Sequence, residues 1–295
     1  MKKLFICLMV LSAICFAGCE KLDMNDSGIG SEQESVANQQ PSKSFTFTVK
    51  GDFGAATFTR AYLQADGQSM TDLWVFDFVD GICVQTVHQN ASDEGWGQPQ
   101  MSLQYGQHHI YFVASRGDSP TVDADGHTIV WDIPRDTFWK DYEVSVTNTS
   151  NGNRAVTLDR VATKLRITAN DEVPEGCASV SVTPASWYYG INYTTGAAVS
   201  NQQKERTVQV PASYVGTSGQ LVINIFGISG SDEWTTSLAI QAKDGNGHVI
   251  GSATINGAPF KRNRATEYSG NLFVSNGILD AAVNQEWESS VSGTW

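Results

Sequence analysis

The sequence predicts an all-β protein: two β-sandwich domains in tandem, preceded by an export signal and a flexible tether. Three observations predict it. Short runs rich in Val, Ile, Thr, Phe and Tyr alternate apolar with polar residues, the period of a half-buried strand. Asp-Gly and Asn-Gly pairs separate these runs at hairpin spacing. No long apolar stripe at a 3.6-residue period competes with them.

The first element is a leader. Lys2 and Lys3 precede an apolar run over 4–17, and small residues then lead to Cys19. A stretch of that length is short of the roughly 20 residues needed to cross ~30 Å of hydrocarbon, so it reads as a removable signal, residues 1–18. The tetrapeptide FAGC at 16–19 fits the bacterial lipobox, which places the cut between Gly18 and Cys19 and makes Cys19 the site of acylation. Each buried methylene contributes ~0.8 kcal/mol, and the several chains of a lipoprotein cysteine hold a protein durably to a membrane. Residues 19–42 follow, rich in Ser, Gln, Asn, Glu and Gly. They hold too little apolar surface to offset the entropy of ordering, and they read as a tether.

Strand patterns begin at SFTFTVKG (44–51) and continue with MTDLWVFDFVDG (70–81), ICVQTVHQ (82–89), HHIYFVAS (108–115), HTIVWDI (127–133) and DYEVSVTN (141–148). Asp80-Gly81 is suited to a tight hairpin between the second and third, and Asp125-Gly126 to another before His127. One short helical turn is expected at 137–141. The polar stretch NTSNGNR (148–154) marks the domain junction, giving domains at 43–154 and 155–295. Beyond it lie KLRITAND (164–171), ASVSVTP (178–184), QLVINIFGIS (220–229), TTSLAIQAKD (235–244) and HVIGSATING (248–257), the last two joined by Asp-Gly-Asn-Gly.

Charge narrows the partners. Loss of the leader leaves 17 basic against 31 acidic residues, a formal −14, which opposes binding to nucleic acid or to an anionic lipid surface. No Lys/Arg cluster with interleaved aromatics is present, and nucleic acid is set aside. Cys7 and Cys15 leave with the signal, so the folded part holds Cys83 and Cys177. Both have apolar neighbours and fall in different predicted domains, which favours two buried free thiols over a disulfide.

Catalytic chemistry finds little support. His108 and His109 are adjacent in a strand, point to opposite faces, and cannot jointly hold one metal. The DADG segment (123–126) lacks the ligand series of a calcium loop and reads as a hairpin turn. Arg116-Gly117-Asp118 follows a strand and reads as a loop. No nucleophile elbow, zincin helix or phosphate-binding glycine loop occurs, so neither catalytic residues, a metal site nor a cofactor is assigned. A carboxylate pair could still be hidden in a β fold, which keeps a glycosidase as a minor alternative. Trp187-Tyr188-Tyr189 is the densest aromatic cluster. It serves either the core or a sugar-stacking platform, the latter making the protein a surface glycan-binding lipoprotein.

At AVTLDRVATKLRITANDEVPEGCASVSV (155–182) the chain resembles the FimB/Mfa2-type fimbrial subunits of the Bacteroidales. Leu158, Arg160, Ala162, Lys164, Asp171 and Pro174 occupy the positions of a Leu-x-Arg strand end, a small-residue and basic strand, an acidic residue and a Pro turn. LWVFDFVDGICV (73–84), MSLQYGQHHIYFVAS (101–115), YYGINYTTGAAV (188–199) and FKRNRATEYSGNLF (260–273) are similar to further family segments in the same order. The resemblance implies transthyretin-like sandwiches in a non-enzymatic lipoprotein of the outer membrane. Such a protein anchors, caps or regulates a fimbria, with other fimbrial subunits as partners and ligands on host or bacterial surfaces admitted. It also implies assembly by strand addition, for which 44–59 and 271–295 are the candidate exchanged segments. For a stalk fimbrillin the resemblance would imply a cut after an arginine at about the position of Arg60, before Ala61. An anchor would keep that bond, and Arg60 is then simply a strand-end residue.

Overall fold

The computed structural model describes residues 40–51, 64–65, 68–274, 279–282 and 289–291. Strands form where alternation coincides with β-branched and aromatic residues. In chain order the first are β1 (Ser42–Gly51), β2 (Gln64–Ala65), β3 (Gln68–Ser69), β4 (Asp72–Val79), β5 (Ile82–Asn90), β6 (Gln100–Gln104), β7 (Gly106–Ser115), β8 (Asp118–Asp123), β9 (Thr128–Ile133), β10 (Thr137–Val146) and β11 (Asn153–Arg160). They are followed by β12 (Ala162–Ala169), β13 (Cys177–Pro184), β14 (Trp187–Asn192), β15 (Ala197–Gln202), β16 (Arg206–Gln209), β17 (Leu221–Ile228), β18 (Trp234–Asp244), β19 (Val249–Phe260), β20 (Arg264–Gly270), β21 (Leu279–Ala282) and β22 (Ser289–Val291). The all-β class expected from the sequence is the class observed. The helical turn expected at 137–141 is not: Thr137 begins β10, which pairs with β7 over ten residues. The one helical turn among the described residues is a 3-10 turn at Ala212–Tyr214.

β5-β4-β7-β10-β11-β1-β6 form one seven-stranded sheet. β10 and β11 share only the pairs Phe138↔Arg160 and Trp139↔Asp159, a joint short enough for the sheet to fold back on itself. The fold encloses a core of Phe45, Phe47 and Val49 from β1, Leu73 and Val75 from β4, Met101 and Leu103 from β6, Ile110 and Phe112 from β7, and Val156 and Leu158 from β11. Asp136, wholly buried beside the joint, accepts two hydrogen bonds of 3.0 Å from Arg160 Nε and Nη2. The arginine of the Leu-x-Arg segment thus braces the fold-over.

The second half builds a sheet of β17-β12-β20-β21, with β22 also on β20, and a sheet of β16-β13-β18-β19. Leu165 and Ile167, Val180 and Val182, Ile223 and Ile225, and Leu238 and Ile240 meet between them. A further sheet, β15-β14-β9-β8, joins strands from both sides of the 154/155 junction, and that junction itself falls within β11. Its inner residues cover the outer face of β4 and β7. Tyr193, just past β14, stacks on Phe76 at 3.9 Å, and Trp131 meets Trp74 edge-on at 6.4 Å.

Candidate functional site

A protein that adds strands needs a sheet border, and the borders here differ in how they are occupied. At one end of the seven-stranded sheet β5 pairs only with β4. Asp80 (φ 51°) and Gly81 (φ 79°) make its hairpin turn, where a left-handed conformation at both positions matches the twist of the strands. Ile82 and Val84 on this border are 68% and 55% exposed.

The N-terminal strand β1 lies inside the sheet. It runs parallel to β11 from Thr46↔Asn153 to Gly51↔Leu158, and antiparallel to β6 from Ser42↔Gln104 to Thr46↔Gln100. The segment after β20 is arranged differently. β21 pairs antiparallel with Glu267 to Gly270, and β22 pairs parallel with Arg264 to Thr266. Two short strands of opposite direction therefore cover the whole outer edge of β20. Entry to this path is fixed by Asp171, whose carboxylate accepts backbone N–H groups from Leu272 at 3.0 Å, Phe273 at 2.7 Å and Val274 at 3.2 Å. Consecutive amides converging on one anion form a strong local clamp. Asp171 belongs to the fimbrillin-like pattern of the sequence, but this contact is not legible there, because its partners lie about a hundred residues away.

Gly18, Cys19, Arg60 and Ala61 lie outside the described residues. Among those described, no helix is long and apolar enough to cross a membrane. Cys83 and Cys177 are both free thiols, but only Cys177 is buried; burial pushes its thiol pKa up. The expectation for Cys83 is corrected: it is exposed. It sits on the border strand β5 next to a register break at Asp77/Phe78.

The remaining candidates resolve into structural roles. Asp123 Oδ1 accepts the N–H groups of Asp125 at 3.1 Å and Gly126 at 3.0 Å, closing the β8–β9 turn. Arg116 of the Arg-Gly-Asp tripeptide is buried. Trp187 is wholly buried and donates from Nε1 to Phe226 O at 3.0 Å, and Tyr189 is buried with it, so two of the three rings of the densest aromatic cluster fill the core while Tyr188 is half-buried. His108 and His109 do point to opposite faces. His108 is buried against Asp77, whereas His109 is exposed beside Asp141 and Glu143, a grouping that only the β7–β10 register reveals.

No curated protein matches the chain. Similar solved structures include the fimbrial anchor protein Mfa2 from Porphyromonas gingivalis, at 9% identity over 78% of this chain and 91% of that one, with a TM-score of 0.48. A fimbrial assembly protein from Parabacteroides distasonis is 13% identical over 82% of this chain and 96% of that one, with a TM-score of 0.46. The tip fimbrial protein Mfa3 from Porphyromonas gingivalis, with a C-terminal truncation, is 12% identical over 82% of this chain and 99% of that one, with a TM-score of 0.42. The model of DUF6562, a family of unknown function, matches residues 120–294, more than half of the chain, and the chain belongs to that family.

Proposed function

We propose that the chain is a non-enzymatic accessory or anchor subunit of a fimbria, held to the outer membrane through an acylated Cys19 and joined to neighbouring subunits by β-strand addition. Residues 19–42 serve as the spacer, and 43–154 and 155–295 as two transthyretin-like sandwiches. Two main cores support a division into two sandwiches, the first reaching past the 154/155 boundary to take in Val156 and Leu158 of β11, and a third cluster draws on both halves. The reading also rests on the order of fimbrillin-like segments along the sequence.

The observation that carries the proposal is the composite cover on β20. Its seven residues are paired by one segment of four residues and another of three, running in opposite directions. A single strand from a neighbouring subunit could replace both with one unbroken ladder, gaining main-chain hydrogen bonds without remodelling the core.

The placement of β1 favours the anchor role. Its Phe45, Phe47 and Val49 fill the first core, and the chain leading back to Cys19 leaves from its start. Cutting after Arg60 would separate β1, and with it the lipid, from the rest. The same position supports a second reading as a polymerising stalk or tip subunit, since withdrawal of β1 would open a groove between β11 and β6.

Mass analysis of the mature N-terminus from outer membranes separates the two. An acylated Cys19 on a chain continuous through Arg60-Ala61 is the expected result. A terminus at Ala61 assigns the stalk or tip role, and an unacylated chain free in the medium overturns the anchor.

A further inference from the structure

The outer face of the β7–β10 pair carries a donor set that strand addition leaves unused. His109 stands opposite Glu143 in the register, and Asp141, two residues earlier on β10, shares the same face. His109 Nδ1 lies 3.4 Å from Asp141 Oδ1 and 3.9 Å from Glu143 Oε1, and one donor atom from each of the three falls within 4.8 Å of the others. An imidazole nitrogen with two carboxylate oxygens is a donor set suited to first-row divalent ions, zinc in particular.

Two features set this group apart from ordinary surface charge. Asp118, Asp132, Asp136, Asp159, Glu205 and Glu233 each pair with a Lys or Arg, and Asp72, Asp77 and Asp244 each hold an imidazole of their own. Among the described residues Asp141 and Glu143 instead share the single imidazole of His109, leaving excess negative charge at one spot. The second feature is rigidity. β7 and β10 lie inside the sheet and pair from Thr137↔Ser115 to Val146↔Gly106 without a break. The backbone positions of the ligands are fixed in advance, and side-chain rotation alone brings the donors to an ion.

We propose that His109, Asp141 and Glu143 bind a zinc ion, with the remaining coordination position open to water or to a group from a neighbouring molecule. The experiment titrates Zn²⁺ into the full chain carrying Cys83→Ser, which removes the exposed thiol as a competing ligand. Calorimetry and histidine side-chain NMR are read together. The His109 imidazole signals should shift to completion at one equivalent, and an excess of Mg²⁺ should not displace the ion, since magnesium prefers all-oxygen sites. His109→Ala and Asp141→Asn should each weaken binding by about tenfold or more, the scale on which even outer-shell partners of a metal act. Metal-free thermal unfolding confirms that both variants fold. The proposal is overturned if the His109 signals stay unmoved at millimolar Zn²⁺. It is equally overturned if both variants bind as the parent does, which would assign the metal to the exposed His88 or His248.

Discussion

His108 Nδ1 and Asp77 Oδ1 meet at 2.7 Å between β7 and β4, with both side chains only 1% exposed. The other ring nitrogen, Nε2, lies 2.8 Å from Gln104 O; a carbonyl only accepts, so Nε2 carries a proton there. Both imidazole nitrogens are thus engaged at the end of a row that otherwise reads Leu73 and Val75 on one strand and Ile110 and Phe112 on the other. Removing one member of such a pair strands the other in an apolar setting. Asp77→Ala should therefore destabilise the protein by about 3–5 kcal/mol in urea unfolding, whereas Asp77→Asn, which keeps a polar partner, should lose less.

The same carboxyl gives a pH dependence. Burial raises the Asp77 pKa above its ordinary value, and the hydrogen bond and charge of His108 oppose the rise only in part. Between the unfolded value of about 3.9 and the higher folded value, the folded state binds more protons than the unfolded one, so this group's contribution to stability falls as pH increases. The difference in melting temperature between the parent and Asp77→Asn should decline as pH rises from about 4 through that window. A flat difference would mean that Asp77 ionises as freely in the fold as in the unfolded chain.

Asp171 governs the second half in a comparable way. With its carboxylate gone, the amides of Leu272, Phe273 and Val274 lose their acceptor, and the chain leaving β20 loses its direction. Hydrogen bonds to a charged group contribute about 1.5–3 kcal/mol each, and partial hydration of the freed amides offsets some of that. Asp171→Ala should cost about 2 kcal/mol in unfolding. It should also speed hydrogen exchange at the amides of β21 and β22 more than at those of β17. Equal acceleration in all three strands would remove Asp171 as the clamp.

How far the sequence foretold this architecture depends on the range of the interaction involved. The Asp80-Gly81 hairpin was legible because a left-handed pair of turn residues acts locally. The same holds for β12 and β18, whose alternation is carried by their own residues. The start of β10 carries the pattern of a helical turn in the sequence and is a strand in the fold. Trp139 turns outward yet donates from Nε1 to Tyr193 O at 2.7 Å, so Thr137 to Asp141 serve two packed faces and lack a simple alternation. Cys83 looked buried from its apolar neighbours, but exposure of a border strand depends on what lies beside it. The contacts of Asp171 and the meeting of His109 with Asp141 and Glu143 depend on pairing between distant segments, which composition and spacing do not encode.

The N-terminal strand supplies the last test. Phe47 is wholly buried, meets Phe112 edge-on at 5.3 Å and lies 6.1 Å from Tyr142, so it fastens β1 between β11 and β6. Phe47→Ala should cost about 3–5 kcal/mol through lost burial and the cavity left behind. If the two halves hold separate cores, the loss should stay local: amides of β4, β7 and β11 should exchange faster, while those of β13 and β18 keep their protection. Combining Phe47→Ala with Asp171→Ala should then give a destabilisation within about 0.5 kcal/mol of the sum of the two, as expected for sites without shared partners. A larger departure would mean that the sheet shared by β9 and β14 couples the halves into one cooperative unit, and withdrawal of β1 would then unfold the second half as well.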